Sequence, residues 1–113
     1  MVSNLTPAQI MSTLSTIGRE IDETTQELSE VDAKVVRLKH AYEMSRAKTF
    51  LDSEGSMEIR KYTAILATGD ASYALECAEQ EMRAVTLRLR ALRDRLEIGR
   101  SMGPLMRLEW GQA

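Results

Sequence analysis

Four places in the chain combine residue types that carry chemistry in other proteins. Ser45-Arg46-Ala47-Lys48 has the S-x-x-K spacing of serine acyl-enzymes, but the S-D-N and K-T-G elements that complete such a site are absent. His40 and Glu43 stand about one helical turn apart, which can orient an imidazole, yet no nucleophile or further ligand accompanies them. Asp52, Glu54 and Ser56 around Gly55 imitate the opening of a calcium loop. The glycine is misplaced there, and Thr63 occupies the position of the bidentate glutamate, so the segment reads as a turn. Cys77 lies among alanines, where a lone thiol behaves as a small buried hydrophobe. No G-x-G-x-x-G or Walker loop occurs, and Gly99-Arg100-Ser101-Met102-Gly103 spells G-x-x-x-G outside any apolar twenty-mer. These readings imply no catalytic residues, no metal, no cofactor and no small-molecule substrate. The chain is expected not to be an enzyme.

Composition bounds what can hold such groups. With 113 residues, 43% hydrophobic and 4% aromatic, the chain is expected to form one helical domain over residues 1–113. One cysteine allows no internal disulfide, and with one histidine it cannot complete a zinc site. No run of 18 apolar residues spans a bilayer. Met1-Val2-Ser3-Asn4 lacks the basic-then-apolar order of a signal peptide. A soluble, cytoplasmic protein is expected.

The elements are legible from their ends. Thr6 can cap a helix, Pro7 suits its first position, and Gln9 can reach back to close a capping box. Leu5 and Ile10 fall at the positions of a hydrophobic staple. From there Ile10, Leu14, Ile17, Ile21, Thr24, Leu28, Val31, Val35, Leu38, Tyr42 and Ser45 recur in steps of four and three. Nine of these eleven positions are apolar, which makes the stripe a coiled-coil seam. A helix of about 6–51 follows, then a turn at 52–56 with Gly55 as its left-handed cap. A second helix of about 57–99 starts from Ser56. It carries one stripe of Ile59, Tyr62, Leu66, Gly69 and Tyr73, and a second of Leu75, Ala78, Met82, Val85, Leu89, Leu92 and Leu96. The two are offset by two residues, which predicts a break or stammer near 68–70, where Asp70 can recap. Gly99 and Gly103-Pro104 are expected to end this arm and leave a short tail, 100–113.

Two long helices with a five-residue connection must run antiparallel. The expected fold class is all-α, a long antiparallel helical hairpin (coiled coil) that oligomerises into a helical bundle. Its oligomer seam would use Ile10, Leu14, Ile17, Ile21, Leu28, Val31, Val35 and Leu38 with Met82, Val85, Leu89, Leu92 and Leu96, giving a dimer or higher homo-oligomer. The apolar tail residues Leu105, Met106, Leu108 and Trp110 either cap the bundle end or anchor a partner protein.

Charge is segregated behind a net of −2. Acidic residues Glu20, Asp22, Glu23, Glu27, Glu30 and Asp32 oppose an arginine block running from Arg83 to Arg107. Folding about Gly55 places residue i near residue 110 − i, so register-setting ion pairs between the arms or between subunits are expected. The alternative is that arginines beyond Leu92 stay free to grip phosphate. Lys34, Arg37, Lys39, Arg46, Lys48, Arg60 and Lys61 form a second basic group with few local acids. It is either a solvated face or a phosphate-binding band.

Residues Ala41 to Arg60 (AYEMSRAKTFLDSEGSMEIR), Ala78-Glu79, the Leu89 to Leu96 run ending at Arg100-Ser101, and Arg107-Leu108-Glu109 resemble small all-helical proteins of tailed bacteriophages. Those proteins are encoded among early genes for DNA recombination and replication, and the resemblance spans roughly residues 38 to 109. It implies an accessory protein of phage DNA metabolism in the host cytoplasm. Such a protein would bind DNA or a DNA-processing protein through Lys34, Arg37, Lys39, Arg46, Lys48, Arg60 and Lys61, neutralising phosphate without reading bases. The alternative is a protein-interaction module, a host-protein inhibitor or structural adaptor, without nucleic-acid binding.

Overall fold

The computed structural model describes residues 6–111, with side chains described as far as Met102 and at Pro104. The all-helical expectation is borne out: among the described residues there are three helices and no strand. They are α1 (Pro7–Asp52), α2 (Met57–Ala67) and α3 (Gly69–Gly111). Contacts divide the chain into two units, one formed by Met1–Glu27 with Val85–Ala113 and the other by Leu28–Ala84.

The start of α1 is closed by side chains. The Gln9 backbone N–H donates to Thr6 Oγ1 at 3.1 Å, and the Thr6 N–H donates to Gln9 Oε1 at 2.8 Å. Two otherwise orphaned donors are thereby satisfied. Leu5, the other half of the expected staple, lies outside the described residues. At the far end of α1, Gly55 takes φ 110°, which a residue with a Cβ adopts only under strain. Ser56 then caps α2, accepting from the Ile59 N–H at 3.2 Å.

The interruption between α2 and α3 falls at Thr68. Its hydroxyl donates to the Ala64 carbonyl at 2.6 Å, and its own N–H donates to the same oxygen at 3.1 Å. Such back-bonding bends helices, yet Thr25 and Thr63 make the same bond and their helices continue. Thr68 differs in being followed by Gly69, which gives a helix little support. Its backbone relaxes to φ −109°, ψ 16°.

The expected stop at Gly99 and Gly103-Pro104 is corrected: α3 runs through both to Gly111, so residues 100–111 are helical rather than a loose tail. Gly99 is a packing position. A Cβ built there would fall on the Leu14 Cδ2 methyl, so the missing side chain admits Leu14 against α3. Pro104 is exposed inside the helix, where a lost N–H is less costly than in a core. The side chains of Leu105, Met106, Leu108 and Trp110 lie outside those described.

Within the first unit the core is Ile10 with Val85, Leu89 and Leu92; within the second it is Val31, Ala64, Leu75 and Ala78. Each large aliphatic among them contributes about 1.5–3 kcal/mol by leaving water. Leu14, Ile17, Ile21, Leu28, Val35, Leu38, Met82 and Leu96 are half-buried. Thr24 is buried in the same stripe, at 6% exposure. Arg88 pairs with Glu27 in the first unit, and Lys34 with Glu81 at 3.4 Å in the second. At both pairs residue i lies beside residue 115 − i, not 110 − i. Between Lys34 and Glu81 the stretch after Gly55 is therefore longer than the stretch before it, and the interruption at Thr68 lies within that longer stretch. All four side chains are about half exposed, which limits each pair to about 1 kcal/mol or less.

Candidate interaction surface

The helix α2 is built with its large apolar residues outward. At 100° per residue, Ile59, Tyr62 and Leu66 fall within an arc of about 60°, and Ala64 and Thr68 lie roughly opposite. Ile59 is 57% exposed, Tyr62 56% and Leu66 83%, while Ala64 is 1% and Thr68 3% exposed. Tyr73, one heptad beyond Leu66, continues the outward line at the start of α3 and is 69% exposed. The stripe of Ile59, Tyr62, Leu66, Gly69 and Tyr73 is thus a solvent-facing one, and small residues make the inner contact.

This arrangement also corrects the offset between the two stripes of the second arm. The inward line runs Ala64, Thr68, Ala71, Leu75, Ala78, Met82, Val85, Leu89, Leu92 and Leu96, all buried or half-buried, with no change of phase at Thr68. Its first members are too small to mark a core by hydropathy. The sequence signal that could have found them is the alternation of steps of three and four continued backwards from Leu75.

Cys77, expected to be buried, is exposed. It stands beside Tyr73, and a hydrogen bond with its sulfur, with added repulsion from Glu76, pushes the phenol above its ordinary pKa. An open depression on this side of α3 is bordered by Tyr73, Glu76, Cys77, Gln80 and Arg83.

The basic residues do not form one band. On the α1 wheel, Lys39 and Arg46 lie on one flank of the seam, and Lys34, Arg37 and Lys48 on the other. Lys34 is engaged with Glu81, while Arg37, Lys39, Lys48 and Lys61 are exposed. Arg46 and Lys61 come together across a cavity of about 630 Å³, whose walls include Tyr42, Phe50 and Leu51 of α1 and Ala64 of α2. Arg46 Nη1 donates to the Tyr42 hydroxyl at 3.1 Å. Arg60 is half-buried, and its Nε has no hydrogen-bond partner.

In the first unit a groove of about 440 Å³ sets Glu20, Glu23 and Glu27 against Arg88 and Arg95, so the acidic block and the arginine block do face each other. His40 and Ser45 are exposed on α1, and Asp52 closes α1 just before the Gly55 turn. Among the described residues no group of three or more His, Cys, Asp or Glu is placed to hold a metal. No described helix is long and apolar enough to cross a membrane.

No protein-family model, curated protein or solved structure matches the chain.

Proposed function

We propose that this chain is a non-enzymatic protein-interaction module, an antiparallel coiled-coil hairpin that works through the outer face of α2. One observation carries the reading: α2 buries Ala64 and Thr68 and leaves Ile59, Tyr62 and Leu66 in water. A helix packed by hydropathy alone would turn that apolar stripe toward the core instead. Contiguous exposed apolar surface of this kind marks contact with another macromolecule, and charge is not what the face offers. Of the seam residues expected to join subunits, Ile10, Val31, Val85, Leu89 and Leu92 are buried within the chain and the other eight are half-buried. Among the described residues, the α2 face is an apolar stripe left in water.

A photo-crosslinking side chain placed at Tyr62 tests this in producing cells, with the same group at Leu87, also exposed, as control. A discrete protein adduct is expected at Tyr62 and none at Leu87. No adduct at Tyr62, or the same products at both positions, overturns the reading.

A second reading, phosphate binding as a DNA accessory protein, is favoured by Arg46 and Lys61 lining one cavity, with exposed Lys39 on the same flank of α1 as Arg46. The division of the other basic residues between two flanks of α1 supports it less well.

A further inference from the structure

We infer that the outer face of α2 docks on the same face of a second copy of this chain. The inference rests on the interaction-module reading and names its partner. Ile59, Tyr62, Leu66, Gly69 and Tyr73 advance in steps of three and four, the spacing with which one helix packs along another. At about 150–250 Å² per side chain, the exposures of Ile59, Tyr62, Leu66 and Tyr73 leave on the order of 500 Å² of mainly apolar surface in water, and Ile65, on the rim, adds to it. One side of a standard stable interface contributes about 800 Å². The stripe therefore supplies most of one partner's share before any polar rim is counted.

Two further features fit an identical partner. The segment from Met57 to Tyr73 holds Glu58 and Asp70 against Arg60 and Lys61, so doubling it brings no net charge together. Gly69 lies between Leu66 and Tyr73 in the stripe, with open space over its α-carbon. It leaves a gap into which an aromatic ring of the facing copy, Tyr62 or Tyr73, can settle. A two-fold axis presents one patch to its own copy, which is how most homo-oligomers are built.

The test is the mass of the purified full chain by light scattering at tens of micromolar. Twice 12.7 kDa is expected. The double substitution Tyr62→Glu with Leu66→Glu should return the mass to one chain without loss of helical circular dichroism, because both side chains face outward. Val36→Glu, an equally exposed apolar position elsewhere on α1, should leave the dimer intact. Should the double variant lose helix, Leu66→Cys in a Cys77→Ser background replaces it, and a short bis-maleimide is expected to join two chains through that thiol. A one-chain mass for the unsubstituted protein, a dimer that persists in the helical double variant, or no coupling through Leu66→Cys overturns the proposal. A one-chain mass together with a Tyr62 adduct to a different protein would sink self-docking alone. A one-chain mass with no adduct sinks both readings.

Discussion

Leu87 and Leu89 stand two residues apart on α3, and the structure assigns them opposite environments: 61% exposure for Leu87 and 5% for Leu89. Truncating each to alanine removes the same three carbons, worth about 0.8 kcal/mol apiece when fully buried. For Leu89→Ala the transfer loss is about 2.3 kcal/mol, and the cavity left behind raises the expected cost to about 3 kcal/mol. For Leu87→Ala the same arithmetic leaves at most about 1 kcal/mol, since most of that side chain is already wet. Urea unfolding followed by helical circular dichroism reads the difference. With a slope near 1.5 kcal/mol per molar for a domain of this size, the midpoint should fall by about 2 M for Leu89→Ala and by less than about 0.7 M for Leu87→Ala. Equal shifts would mean that α3 is rotated about its axis from the orientation described here. The burial of Val85 and Leu92 would then be wrong along with that of Leu89.

Two other outcomes test separate parts of the molecule. Gly99→Ala should be close to neutral, because the gain of about 1 kcal/mol in helix propensity is offset by displacing Leu14. In a Leu14→Ala background the same change should stabilise by about 1 kcal/mol, and a double-mutant cycle showing no coupling between positions 14 and 99 would refute their contact. If Arg46 and Lys61 grip phosphate, binding to labelled DNA should weaken linearly on a log–log salt plot, and Arg46→Glu with Lys61→Glu should abolish it. No binding at low salt leaves that cavity without a nucleic-acid role.

Helix ends were readable because they depend on local chemistry: Thr6 with Gln9, Gly55 and Ser56 each act on neighbours within four residues. The seam of α1 was readable for a related reason. Val31 and Ile10 are large, apolar and inward at once, so hydropathy and burial coincide. On α2 they part company. Tyr62 and Leu66 dominate any apolar periodicity, yet the surface that fits against α1 is the small one around Ala64, near Ala47 and Phe50. Size decides which face can come close, and hydropathy does not report size. The continuation of α3 beyond Gly99 was hidden likewise, because a glycine that admits Leu14 has the same one-letter code as a glycine that ends a helix. Of the candidate site, the stripe itself was legible, but its exposure was not. Exposure is a property of what the rest of the chain leaves uncovered.

The way the two units are cut from the chain constrains the order in which they can form. Leu28–Ala84 is continuous, so everything it needs is present before the last residues are made. The other unit joins the two ends, and its Glu27–Arg88 pair closes a separation of 61 residues. Once Lys34 and Glu81 have met, only about fourteen residues of effective loop remain to be closed, which lowers the entropic cost of the end-joining contacts by about 1 kcal/mol. The expected order is that the Leu28–Ala84 unit closes first, with the α2 face ordered before Gly99 reaches Leu14. On the self-docking proposal, the surface offered to a second copy would therefore be ordered before Glu27 and Arg88 have met.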